Sequence, residues 1–145
     1  MEDSMDHVVY VDTKARELEK LLAGEKTMIV RGATGRKLPY GRVQPNDRLF
    51  FIQNKDDGMV RADAVVREVL NSEKLTEEQS SGLLQANQSK LQLTPEQVKR
   101  WSGKRYLVLI EVANIQPLEP FAIDRSAYGN MDDWLPVEKI ENVKK

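Results

Sequence analysis

The chain has 145 residues, 40% hydrophobic and 31% charged, with a formal net charge of −1 and no cysteine. This length suits one domain with a real core, and the composition is that of a soluble globular protein, so neither disorder nor a membrane-spanning helix is indicated. The lack of cysteine excludes disulfides and thiolate metal sites and fits a cytoplasmic location, while near-neutral charge argues against broad electrostatic coating of duplex DNA.

Residues 1–6 are acidic and lack the basic and apolar regions of a signal peptide, so they read as a loose leader. His7 to Val11 is a β-branched and aromatic run that suits an opening strand. Asp12 or Thr13 can cap a helix through about Ala23, with Ala15, Leu18 and Leu22 at helical spacing and Leu21 beside them. Gly24, just past the last periodic residue, is the expected left-handed cap, and Thr27 to Arg31 follows as a second strand.

Gly32 to Gln44 holds three glycines and Pro39 and is expected to be a loop. Arg48 to Ile52 reads as a strand apolar on both faces and hence buried, and Lys55 to Gly58 closes a hairpin. In the next strand Val60, Ala62, Ala64 and Val66 face the core while Arg61, Asp63 and Arg67 face water. The small alanines suit a tightly curved barrel interior.

Residues 71–104 change character. Thr76-Glu77-Glu78-Gln79 and Thr94-Pro95-Glu96-Gln97 are two helix starts of the cap-then-acid type, which makes this stretch a polar helical insert. Leu83, Leu84, Leu91, Leu93, Val98 and Trp101 are its apolar anchors against the sheet. Tyr106 to Ile115 is the strongest strand signal and should be central, and the two prolines between Gln116 and Pro120 interrupt it before Phe121. A loop from Tyr128 to Trp134 and a last short piece from Val137 to Val143 complete the chain.

This order of elements favours an α+β architecture: a mixed, mostly antiparallel sheet of five to six strands curled into a small barrel, flanked by helices. One domain is expected to span residues 1–145.

Between Gly24 and Val43 the chain carries five cations, Lys26, Arg31, Arg36, Lys37 and Arg42, against one acid, Glu25. Positive charge is thus concentrated in one stretch of a chain that is slightly acidic overall. Arginines can fork two N–H groups onto an oxyanion, lysines add point charge, and Tyr40 can stack on an unpaired base. The alternative is a solvated loop that Tyr40 only pins. Gly32 to Lys37 does not have the glycine and lysine order of a nucleotide-triphosphate loop, and no convincing helix follows it. The single histidine, His7, has no second histidine or cysteine with which to share a metal and reads as a surface or terminal residue, so no metal or cofactor is expected.

Three groups of residues together resemble the ASCH family, the activating-signal-cointegrator homology domains of the PUA-like superfamily of small RNA-associated barrels. They are Gly24-Glu25-Lys26-Thr27 with Arg31 at a helix-to-strand junction, Pro39-Tyr40-Gly41 with Asp47 before Phe50-Phe51, and Tyr106 to Val112 leading to Pro120-Phe121. The resemblance implies a pseudo-barrel whose cleft beside the first helix holds RNA or a nucleotide. The family motif has the form Gly-x-Lys-x-x-Glu-x-Arg, and here Ile29 stands at the position of its acid.

The leading expectation is an RNA- or nucleotide-binding domain with Lys26, Arg31, Arg36, Lys37, Tyr40 and Arg42 at the ligand, and Thr27, Tyr128 and Trp134 as possible cleft walls. The alternative is an enzyme on RNA or modified nucleosides, a ribonuclease or amidohydrolase, with Lys26 and Thr27 near the chemistry and Glu111 or Asp63 as base. In that case a buried lysine of lowered pKa would be the telling sign. A third reading is a protein-interaction module that uses the 71–104 helices.

Overall fold

The computed structural model describes residues 4–128 and 132–145. Residues 1–3 of the expected leader and residues 129–131 of the loop before Trp134 lie outside the described residues. Six strands form one curled sheet: β1 (Asp6–Val11), β2 (Met28–Ala33), β3 (Arg48–Gln53), β4 (Val60–Asn71), β5 (Tyr106–Phe121) and β6 (Trp134–Glu138). Their order is β2-β5-β4-β3-β1-β6, with β1 parallel to β3 and every other neighbour antiparallel. The sheet curls into a half-barrel, the mixed α+β architecture that the order of elements favoured.

Both faces of the sheet are covered, which explains the unbroken apolar runs in β3 and β5. One face carries the main core, built on Val9, Val11, Ile29, Phe51, Ala62, Ala64, Val108 and Ile110. The alternate residues point the other way. At one end Met28, Val30, Leu107 and Leu109 pack under Leu84, Leu91, Leu93 and Trp101 of the helical stretch. At the other end Val8, Phe50, Ile52 and Val60 meet Leu135, Val137, Ile140 and Val143 of the C-terminal segment.

The first helix, α1, spans only Glu17–Leu22. Asp12 does cap, but it caps a turn: its Oδ1 accepts from the Ala15 backbone N–H, and Arg16 then adopts a left-handed φ of 57°. The helix therefore starts later than expected, and the buried pair is Leu18 and Leu21 while Leu22 faces solvent. Its end is as expected. Gly24 has φ +77°, its N–H donates to Leu21 O and the Glu25 N–H donates to Lys20 O, so two terminal carbonyls are satisfied and the chain turns inward at Lys26.

Three further helices, α2 (Glu77–Ala86), α3 (Gln88–Leu91) and α4 (Pro95–Trp101), join β4 to β5. Thr76 and Thr94 each form the reciprocal capping box with the glutamine three residues on, and Pro95 occupies the first turn of α4. No helix among the described residues is long and apolar enough to cross a membrane.

Two expectations fail for reasons of context. β5 does not stop before the prolines but continues to Phe121, with Pro117 opposite Ala62. Beyond Glu111 it has β4 on one side only, because β2 pairs with residues 106–111 and no further. A proline without an N–H is tolerated along such an unpaired edge. Asp63, expected to face water, is 2% exposed: the C-terminal segment covers that face, and Arg48 donates to its Oδ2.

Candidate nucleic-acid interface

β2 is one edge of the half-barrel, and its Arg31 spans the open seam towards β1. The guanidinium donates to Val30 O at 2.8 Å and to Tyr10 O at 2.6 Å, and it lies 5.7 Å from the centre of the Trp134 ring. Asp133 Oδ2 is 3.2 Å from Arg31 Nε, yet the alignment makes no hydrogen bond, and this buried N–H has no acceptor among the described residues. The charge of Arg31 is thus paired with Asp133 while this N–H makes no hydrogen bond, so a ligand oxygen aligned with it would supply the missing acceptor.

Trp134 opens β6 and is buried behind Arg31. Its indole N–H donates to His7 Nδ1 at 3.0 Å, and His7 Nε2 lies 2.9 Å from Asp47 Oδ2. Because indole can only donate, Nδ1 must be the acceptor and Nε2 carries the proton. The lone histidine is thus fully buried in a strand, not at the surface as expected, and it positions a wall of the site. Burial pushes its pKa below the usual value, against the opposing pull of the Asp47 hydrogen bond and charge.

In front of Arg31 lies an open cavity of about 370 Å³. Its lining comes from β2 and the loop after it (Arg31, Gly32, Lys37, Leu38), from the end of α4 (Arg100, Trp101, Lys104) and from the approach to β6 (Asp132, Asp133, Trp134). Four cations thus face two carboxylates. Lys37, Arg100 and Lys104 have no carboxylate within 4 Å among the described residues, so their charge is free to meet a ligand. The Arg100 guanidinium lies over Trp101 at 4.8 Å.

Adjoining this cavity is a second compartment of about 30 Å³, lined by Tyr10, Asp12, Glu17, Asn54 and Gln97 and sharing Arg31, Arg100, Trp101 and Asp133 with the first. It is wide enough for one or two waters and almost wholly polar. Glu17 faces it, accepts from the Asp12 N–H at 2.7 Å and pairs with Lys26 Nζ at 3.3 Å.

The nine residues singled out from sequence separate into three groups. Arg31, Lys37 and Trp134 line the cavity together. Arg36 and Tyr40 sit beside it: the Arg36 guanidinium lies over the rings of Tyr40 and Tyr106, and the Tyr40 hydroxyl donates to Ser72 O at 2.6 Å. The other four line neither compartment. Lys26 is 1% exposed, donates to Leu91 O, and has its pKa lowered by burial despite Glu17. Thr27 is half-buried between Lys90 and Val112, Arg42 is exposed, and Tyr128 packs on the C-terminal side of the sheet.

Of the two acids considered as a base, Glu111 pairs with Lys90 outside the cleft and Asp63 pairs with Arg48. The acids that line the site are Asp132 and Asp133 in the main cavity and Asp12, Glu17 and Asp133 in the second compartment. Arg100 and Lys104 were not anticipated, although the capping box at Thr94 already fixes where α4 begins and so where Arg100 falls.

The fold defined by these elements is a mixed α+β half-barrel. More narrowly, it is the ASCH fold, shown by likeness to three crystal structures of an ASCH protein from Zymomonas mobilis. A serine-to-alanine variant superposes with a TM-score of 0.70 at 15% identity, covering 97% of this chain and 94% of that one. Another structure of the same protein gives 0.69 at 14% identity, covering 97% and 92%. A tyrosine-to-phenylalanine variant gives 0.68 at 15%, covering 94% and 92%. No protein-family model matches the sequence, and no curated protein matches it.

Proposed function

We propose that the protein binds RNA or a nucleotide in the cleft between the half-barrel and α4. Phosphate lies against Arg31, Lys37, Arg100 and Lys104, and a base lies beside Trp101 and Trp134. The observation that carries this reading is the buried Arg31 Nε–H without a hydrogen-bond acceptor among the described residues, in a cavity whose other cations have no carboxylate within 4 Å among those residues. Such a site is built for an anion that brings its own acceptors. The volume accommodates about one nucleotide, and the PUA-like class of the fold agrees with an RNA partner.

The test is fluorescence anisotropy with a short single-stranded RNA across a salt series, against the protein and its Arg100→Glu/Lys104→Glu variant. Saturable binding is expected to weaken with salt at a logarithmic slope of about −0.7 per phosphate contacted, and the variant is expected to lose at least about tenfold in affinity. Binding unaffected by the double reversal would place the ligand elsewhere.

A second reading, hydrolysis of RNA or of a modified nucleoside, is favoured by one specific observation. Lys26 is buried, its pKa is lowered by that burial, and its partner Glu17 faces a polar compartment that adjoins the cleft. Turnover that is lost in Glu17→Gln while RNA affinity is kept would establish it. Binding without turnover of RNA or of acetylated cytidine would leave the first reading alone.

A further inference from the structure

The cleft has room for one nucleotide, and its rim continues onto a second surface. In the β2–β5 ladder Gly32 pairs with Leu107, and Ala33 pairs with Tyr106 at the very end. Tyr106 therefore stands one step beyond the cavity floor. Its ring meets Tyr40 edge-on, with centroids 5.7 Å apart and planes at 86°. The Arg36 guanidinium lies 5.5 Å from the Tyr106 centroid and 5.8 Å from that of Tyr40. The cluster is held from behind: the Tyr40 hydroxyl donates to Ser72 O, and the Gly41 N–H donates to Asn71 Oδ1 at the end of β4.

Arg36 is exposed and has no carboxylate within 4 Å among the described residues. The residue after it, Lys37, lines the cavity, as does Lys104, two residues before Tyr106. An exposed guanidinium beside two anchored rings offers planar groups to solvent, and unstacked bases settle on such groups whatever their sequence.

We propose that the Arg36–Tyr106 platform seats the nucleotide next to the one in the cleft, so that the protein's ligand is a single strand of at least two nucleotides. This rests on the reading of the cleft as a nucleotide site. The phosphodiester between the two nucleotides passes within reach of Lys37 and Lys104. A free nucleoside fills the cavity alone, and a duplex keeps its bases stacked on each other and offers none to the platform.

The experiment compares the four nucleoside 5′-monophosphates with the matching homotetramers, ribo and deoxy, by calorimetry on the full chain and on its Arg36→Ala and Arg36→Lys variants. The best tetramer is expected to bind at least about tenfold tighter than its monophosphate. Arg36→Ala should remove most of that gain and leave monophosphate affinity within about twofold. Arg36→Lys, which keeps the charge and loses the plane, should behave like Arg36→Ala. A preference for the ribo tetramer identifies RNA as the ligand, and equal affinity identifies single strands of either kind.

Tetramers no tighter than monophosphates overturn the platform and leave the cleft reading intact. So does a gain that survives Arg36→Ala or is restored by Arg36→Lys. If neither monophosphates nor tetramers bind, the cleft reading falls and the platform with it.

Discussion

The molecule contains two arginine–aromatic contacts of nearly equal geometry and opposite use. Arg31 lies 5.7 Å from the Trp134 ring centre and Arg36 lies 5.5 Å from that of Tyr106, but the first is buried and the second is open to solvent. Arg31 spends two of its donors on backbone carbonyls of β1 and β2, so its position is part of how the half-barrel seam is held. Arg36 has no hydrogen bond or ion pair to the described chain. Burial separates the two: in low dielectric each bond to the guanidinium is worth more, and in water the same contact is nearly free to exchange partners.

The sharpest way to break this comparison is to remove the buried partner. Arg31→Met fills similar space but loses two hydrogen bonds from a charged donor, each worth about 1.5–3 kcal/mol, partly offset by the apolar burial of methionine. Asp133 is half exposed and adds little. A loss of about 2–4 kcal/mol is expected in urea unfolding, with an unchanged denaturant slope. A loss below about 1 kcal/mol would mean that the seam is held by packing alone.

Much of the framework around both arginines is legible in the sequence because its causes are local. Gly24 itself adopts the left-handed cap that it signals, and Thr76 and Thr94 make the capping boxes that their glutamines announce. The tertiary context is what could not be read. Whether β5 runs through Pro117 depends on where β2 stops pairing, and whether Asp63 is wet depends on a C-terminal segment far along the chain. The same holds at the site. Arg31 and Lys37 stand in a basic stretch that draws notice, but Arg100 and Lys104 reach it only because the helical stretch folds back over β2 and β5. Nothing in the residues around His7 reveals that a strand will bury it against Trp134.

That buried histidine gives a second and smaller way to perturb the Arg31 side without altering the Arg36 side. Burial is the main reason that the His7 pKa lies below 6.5; Asp47 and Asp6 pull it up, and Arg42 pushes it further down. The folded state therefore holds its proton less tightly than the unfolded state. Stability is full above about pH 6.5 and falls as the pH drops from there towards the lower folded-state pKa, because the unfolded chain takes up the proton first. Protonation would also set an N–H at Nδ1 against the Trp134 indole N–H. The urea midpoint is expected to fall between pH 7.5 and 5.5 more steeply in the parent than in His7→Gln, whose lower starting stability does not depend on an imidazole. Parallel profiles would show that carboxylates, not His7, control this range.

The smallest expected effect lies on the exposed side and is the most diagnostic because it is small. Arg36→Ala removes a solvent-exposed cation–π contact worth about 0.5–1 kcal/mol, and some of that is recovered as the freed side-chain entropy of a long surface residue. Tyr40 and Tyr106 keep their edge contact, and the Tyr40 hydroxyl keeps Ser72 O, so the loop retains its anchor. The unfolding free energy from urea titration should change by no more than about 0.5 kcal/mol, the usual range for a surface change. A larger loss would mean that Arg36 is a structural brace for the loop, like Arg31 for the seam. A shift near zero, together with weaker binding of single strands, would mean that its place over the two rings is kept for a ligand, since the fold gains nothing from it.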